Sequence, residues 1–391
     1  MSNIRALTGN SSAALGAALC RPDLIAAYPI TPQSSVVEYL SKLIADNELN
    51  SKMVQVESEH SAMSVVQGAV AAGGRAFTAT SAQGLALMFE PYFRMSTLRF
   101  PMVMGIAGRE MTSPETVWGG QQDSISVRDA GWIQIHVENN QEILDMIIQG
   151  YKIAEDNQVL LPVNICYDGF YLSHLTEGVD IPKQNDVDGF LPPYRSTHMA
   201  FDPENPMAID PLTPGDILME YRYNHLKAMQ CALDVIDKVD EEFGKKFGRS
   251  YGGTIEEYRC EDADILLVVM GSMAGTGKEA VDIKRDEGIN VGLIKVRAIR
   301  PFPNKRILEA MKGKSAFAVV DRNVCFGWNT GALYMETKAA VSSIGNTLTS
   351  MPVIGGLGGA DITLKHLLDC IDILDECKED KKEQPCMWLK K

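Results

Sequence analysis

The chain has 391 residues, 45% of them hydrophobic and 23% charged, and a net charge of −14. That length and composition belong to a folded protein with enough apolar material for two cores, and the acidic balance is a poor match for nucleic acid, which calls for a basic surface. No stretch reaches the roughly 20 apolar residues of a membrane span, and the opening MSNIRALTGN has no apolar signal segment, so the expected location is the cytoplasm.

In chain order, small residues over Ser11–Cys20 predict a helix, and Leu24–Pro29 a strand ended by a proline. Thr31-Pro32 is a helix-start signal, followed by Val36, Val37, Leu40, Leu43 and Ile44 at helical spacing. A strand at Val54–Glu57, an Ala/Gly-rich helix over Ala62–Ala72 and a strand at Ala76–Ala79 come next. A helix over Ala86–Phe93, a buried strand at Met102–Ala107 and another at Val163–Tyr167 continue the alternation. Such alternation implies a parallel sheet covered by helices. Seven prolines between residues 182 and 214 predict an extended surface arm without regular structure. A long amphipathic helix follows from Asp216 to Phe247. A second α/β unit begins with strand Ile265–Met270, helix Gly277–Glu287 and strands Val291–Val296 and Ala316–Val320. The expected division is therefore residues 1–250 and a smaller unit over 258–391, with Lys378–Lys382 a frayed tail.

Four segments could carry chemistry. Tyr28-Pro29-Ile30-Thr31-Pro32 lies where a strand meets a helix, so Thr31 is either a helix N-cap or a hydroxyl for a ligand carboxylate. Glu57-Ser58-Glu59-His60 leaves a strand just before a helix; Glu59 is either a dipole-favoured first-turn carboxylate or a group that shares a proton with a ligand nitrogen. Arg109 ends a buried strand and offers a fork to a carboxylate or phosphate, or pairs with Glu110, Glu115 or Asp123. Met111–Asp123 reads as a mobile loop over the site. Gly271-Ser272-Met273-Ala274-Gly275-Thr276-Gly277-Lys278 fails the P-loop pattern, since Glu279 stands where a hydroxyl residue should hold magnesium, and reads as a tight turn. None of the eight cysteines forms a C-x-x-C pair and the six histidines are scattered. These spacings point away from a metal site held by this chain alone.

Taken together and in order, these segments resemble the pyruvate:ferredoxin oxidoreductase (pyruvate synthase) alpha subunits of the 2-oxoacid:ferredoxin oxidoreductase family. Tyr28–Pro32, Ser58-Glu59-His60, Gln83-Gly84-Leu85, Ala107-Gly108-Arg109, Gln122-Asp123-Ser124 and Arg128–Trp132 carry the resemblance in the first part. Asp168-Gly169-Phe170, Arg300–Pro303, Val320-Asp321-Arg322 and Gly356–Gly359 extend it over nearly the whole chain. His60 and Gly119–Gln122 depart from the commoner family residues.

The resemblance implies an α/β fold: a thiamine-diphosphate-binding, pyrimidine-type parallel-sheet domain followed by a smaller α/β domain like the transketolase C-terminal one. It implies reversible, CoA-dependent oxidative decarboxylation of pyruvate with ferredoxin as electron acceptor. Glu59 matches the glutamate that contacts the aminopyrimidine, Thr31 and Arg109 match residues that hold the substrate carboxylate, and Gln83 and Gly84 match a cofactor-lining segment. Thiamine diphosphate would be shared with a beta subunit that holds the diphosphate and Mg2+. [4Fe-4S] clusters would lie on partners, including gamma and ferredoxin-like delta subunits, in a dimer of heteromers. The second domain is assigned to assembly. Branched-chain or aryl 2-oxoacids are the alternative substrates, and a non-catalytic scaffolding subunit the alternative role. A 2-oxoglutarate enzyme fits less well, because no second cation stands beside Arg109 in the sequence.

Overall fold

A computed structural model describes residues 3–197, 200–344 and 348–390 of the chain. The first half runs β1 (Ile4–Thr8), α1 (Gly9–Leu19), β2 (Leu24–Ala27), α2 (Ser34–Ala45), β3 (Lys52–Gln55), α3 (Glu59–Ala71), β4 (Ala76–Thr80) and α4 (Ala82–Leu87). It continues with α5 (Phe89–Thr97), β5 (Val103–Gly108), α6 (Gln122–Ser126), β6 (Ile133–His136), α7 (Asn140–Ala154), β7 (Val163–Asp168), β8 (Thr176–Asp180), α8 (Gln184–Phe190) and α9 (Gly215–Phe247). The second half runs β9 (Ile255–Tyr258), β10 (Ile265–Val269), α10 (Met273–Asp286), β11 (Val291–Val296), β12 (Ala298–Arg300) and α11 (Asn304–Met311). Then come β13 (Ala316–Asp321), α12 (Ala332–Ala340), β14 (Thr349–Ile354), α13 (Leu364–Cys377) and β15 (Met387–Trp388).

Two sheets result. The first has the order β12-β6-β7-β5-β4-β2-β3, the second β15-β14-β13-β10-β11-β9. Each is parallel except for one antiparallel edge strand, β12 in the first and β9 in the second. Helices cover the sheets on both faces, so β4, β5, β7, β10 and β13 are buried along their whole length and read as near-continuous apolar runs. The small residues of α1 allow close helix contact: a Cβ added at Gly16 would lie 2.9 Å from the Leu144 carbonyl of α7. Helix α9 buries a stripe (His225, Ala228, Ala232, Val235, Val239, Phe243) spaced every three or four residues, with Ile236 and Asp240 beside it. It ends at Gly248, whose φ of 74° gives the left-handed C-cap.

Three expectations change. The Pro-rich arm is not wholly irregular: α8 forms over Gln184–Phe190, because no proline falls between 182 and 192. Residues 198 and 199 of that arm lie outside the described residues. The charged tail is held rather than frayed, since Lys378 pairs with Asp264 at 2.9 Å and Asp375 at 3.0 Å, and β15 joins β14. Finally, a strand crosses the division expected near residue 258, because β12 pairs with β6 of the first sheet.

The junction of the halves is polar. Glu142 of α7 is fully buried and meets Lys295 Nζ at 2.8 Å and Arg297 Nε at 2.8 Å. Both cations are themselves at most 1% exposed.

Candidate active site

The strands of the first sheet that run parallel end on one edge, so the loops after β2, β3, β4, β5 and β7 converge there. After β3, Ser58 adopts extended backbone and its hydroxyl accepts the Ser61 N–H at 3.2 Å, capping α3. The capped start of α3 fixes Glu59 in the first turn, where it is only 5% exposed. Burial pushes its carboxyl above the usual range, partly offset by a backbone hydrogen bond.

Facing that carboxyl is Gly84. A Cβ there would come within 2.5 Å of Glu59 Oε1 and 2.6 Å of Thr80 Oγ1, so α4 reaches Glu59 only because this residue has no side chain. The hydroxyl of Thr80 and the Oε1 of Gln83 are buried and have no hydrogen-bond partner among the described residues. Buried polar atoms are normally satisfied. A hydrogen-bonding heterocycle laid against Glu59 and Gly84 would fit this lining.

After β5 comes Arg109, also 5% exposed. Its Nη1 donates to the Thr31 carbonyl at 3.0 Å, its Nε to the Thr116 carbonyl at 2.8 Å and its Nη2 to Glu115 Oε1 at 2.9 Å. Of the three acids that could pair with its side chain, Glu115 does. Glu110 turns away towards the Gly358 N–H, and burial raises its carboxyl to about 7. Thr31 is exposed beside this guanidinium. It is not a helix cap: Gln33 occupies the cap position and α2 starts at Ser34, because the Gln33 N–H closes a turn onto the Ile30 carbonyl at 2.7 Å.

The segment over Met111–Asp123 is tied down at its far end. Gly119 accepts the Gly359 N–H at 2.7 Å and the Gln121 N–H donates to the Arg322 carbonyl at 3.1 Å. Gly271 takes a φ of 79° in the turn before α10. The next residue, Ser272, donates through its hydroxyl and its N–H (3.1 Å) to Asp168, which also pairs with Arg322 at 2.8 Å. Those contacts fasten the second half to the edge that carries the site.

Glu59, Gly84, Arg109 and Thr31 are thus joined through direct contacts and one buried carboxylate, Asp123, whose Oδ2 accepts the N–H groups of Ala82 and Arg109 at 2.9 and 3.0 Å. Sequence reasoning missed Thr80, which lies in an apolar strand without local signal, and saw Asp123 only as a possible ion partner or a motif letter.

Comparison with known proteins shows the family of the chain. Residues 15–241 match the family model described as pyruvate flavodoxin/ferredoxin oxidoreductase, thiamine-diphosphate-binding. The chain belongs to that family. Residues 263–367 match core domain II of pyruvate:ferredoxin oxidoreductase. The pyruvate synthase subunit PorA of Methanothermobacter thermautotrophicus is 47% identical over 389 residues, 99% of this chain and 98% of that one. The alpha subunit of the NADH-dependent phenylglyoxylate dehydrogenase of Aromatoleum evansii is 46% identical over 371 residues, 93% of this chain and 89% of that one. A solved 2-oxoglutarate:ferredoxin oxidoreductase from Magnetococcus marinus superposes with a TM-score of 0.75 at 21% identity, over 95% of this chain and 65% of that one. At that identity it speaks for the fold alone. This family member is therefore an oxidoreductase subunit with a thiamine-diphosphate-binding domain.

Proposed function

We propose that this chain is the alpha subunit of a complex that oxidatively decarboxylates pyruvate to acetyl-CoA and CO2, reversibly, with ferredoxin as electron acceptor. The observation that carries the reading is the Glu59 carboxyl, buried at the sheet edge against Gly84. Thiamine diphosphate, when bound, supplies the carbanion that adds to the 2-oxoacid carbonyl. Glu59 holds the aminopyrimidine and exchanges a proton with its ring nitrogen, a task suited to a carboxyl whose acidity burial has weakened. Gln83 and Gly84 line the same ring. Arg109 grips the substrate carboxylate through its fork, with Thr31 beside it, and the surrounding burial strengthens that grip.

The rest of the machinery belongs to partners in this reading: a beta subunit with the diphosphate and Mg2+, a gamma subunit, and a ferredoxin-like delta subunit among those with [4Fe-4S] clusters, assembled as a dimer of heteromers in the cytoplasm. Among the described residues no helix is long and apolar enough to cross a membrane, and no group of three or more His, Cys, Asp or Glu could hold a metal.

Glu59→Gln in the complete complex tests the assignment. Activity should fall at least about a hundredfold, as expected for a lost proton-transfer partner. Near-wild-type turnover would instead leave the chain a scaffold. A second reading, an aryl or branched-chain 2-oxoacid as substrate, draws support from the phenylglyoxylate relative, which matches about as well as the pyruvate synthase subunit. Comparing kcat/KM for pyruvate, 2-oxoisovalerate and phenylglyoxylate on the native complex separates the two.

A further inference from the structure

We infer that Asp123 is a positioning residue for this reaction, holding the α4 segment that faces Glu59 and the strand end that carries Arg109 in one register, with Gln122 seating it from the second half. The inference rests on the function proposed above. Asp123 is fully buried in the first turn of α6. Its Oδ2 accepts from Ala82 N–H at 2.9 Å and Arg109 N–H at 3.0 Å, and its Oδ1 from Ser124 N–H at 2.7 Å. One oxygen therefore bridges the cofactor-lining helix and the residue that grips the substrate.

The Ala82 end of that bridge is strained. Ala82 has a φ of 42°, a left-handed conformation that is unfavourable for an alanine and persists only where neighbours enforce it. Gly84, two residues on, is the residue that meets Glu59. If the Asp123 contact is lost, Ala82 can relax, and the relaxation moves Gly84 relative to Glu59. Asp123 forms no ion pair among the described residues, so its hydrogen-bonding capacity is directed at backbone N–H groups.

The segment that bears Asp123 is fixed from the other side of the molecule. Gln122 exchanges two hydrogen bonds with the backbone of Val324, at 3.0 and 3.3 Å, and Gln121 N–H donates to Arg322 carbonyl at 3.1 Å. Through Asp123 the second half sets the spacing between the two ends of the site, beyond a purely assembling role.

The test is Asp123→Asn in the complete complex, with three quantities measured: the Kd of thiamine diphosphate with Mg2+ by tryptophan fluorescence quenching, the KM of pyruvate, and Tm. Asparagine has a single accepting oxygen, so its NH2 group must oppose either the Ala82 and Arg109 N–H groups or that of Ser124 and the three contacts cannot all be kept; Kd and KM should both rise about fivefold or more, while Tm stays within a few degrees. Both constants unchanged, with or without a lower kcat, would overturn the inference, because a merely structural loss reduces the active fraction and moves neither. If Asp123→Asn does not fold, Gln122→Ala keeps the carboxylate and removes only its tether; both constants should then rise about twofold, and wild-type values would overturn the inference. Glu59→Gln and Arg109→Ala run beside it: if those two retain full activity and a wild-type KM, the proposed function fails, whereas if they lose it and the Asp123 constants do not move, only this inference fails.

Discussion

Asp123 at the site edge and Glu142 at the junction of the halves are equally hidden from water, yet their acidities move in opposite directions. Burial raises Asp123 to about 6, because backbone N–H groups alone offset the desolvation. Desolvation would raise Glu142 as well, but Lys295 and Arg297 outweigh it and bring the carboxyl down to about 2. The junction is complete within the chain: each buried charge has its counter-charge at about 2.8 Å. The site edge is incomplete, with Thr80 Oγ1 and Gln83 Oε1 lacking partners among the described residues. A region closed by its own charges holds the molecule together, whereas a region left open is where an external molecule can be held.

The largest expected effect is at the closed region. Glu142→Gln leaves Lys295 and Arg297 short of their shared partner and should lower stability by about 3–5 kcal/mol, read as a fall in Tm at pH 7. The folded pKa of Glu142 is depressed, so its contribution is present above the unfolded value of 4.5 and lost as pH falls towards about 2. The gap in Tm between variant and wild type should therefore narrow across that window; a gap that widens in acid would contradict the pairing. Asp123 has the opposite sign. Its folded pKa is raised, so the stability it contributes declines as pH climbs from 3.8 through about 6.

At the open region the effects should appear in activity and leave stability nearly untouched. In Gly84→Ala the new Cβ would press on Glu59 Oε1 and Thr80 Oγ1, both side-chain atoms, so the carboxyl is displaced and the fold survives. Activity should drop about tenfold or more with Tm nearly constant; a large loss of Tm with normal specific activity would reverse that view. The smallest effect is expected from Glu115→Ala. Glu115 is an exposed acid sitting on the fork of buried Arg109, with 69% of its side chain exposed against 6%, and such a half-exposed pair is weak. Freeing the fork should lower the KM for pyruvate about twofold without changing kcat. An unchanged KM would mean that Glu115 does not compete with the substrate carboxylate.

How much of this was legible beforehand follows the same divide. The alternating apolar runs and helical stripes exposed the two parallel sheets, because burial on both faces writes itself into consecutive residues such as Val163–Tyr167. Glu59, Arg109 and Thr31 stood out through the ordered motifs around them. The strands Ile133–His136 and Thr349–Ile354 went unread; each carries polar residues, Gln134 and His136 in one and Thr349 and Ser350 in the other, that are buried by tertiary contact. Asp123 was hidden for a different reason. The two partners that it bridges are the backbone N–H groups of residues 41 and 14 positions away, and backbone donors leave no mark on side-chain identity. The offer of Glu110, Glu115 or Asp123 to Arg109 could be resolved only in three dimensions, where one took the fork, one took the backbone and one faced elsewhere.

The three-residue strand β12 gives the chain a particular vulnerability. It comes from the second half and is the edge neighbour of β6 in the first sheet. A polypeptide cut between the halves would strip β6 of that neighbour and bare a row of unpaired N–H and C=O groups, the template on which sheets associate wrongly. The halves therefore do not behave as interchangeable modules. A gene that separated them would have to supply another strand for that edge, and a shortened product would be expected to clump before it could join its partners.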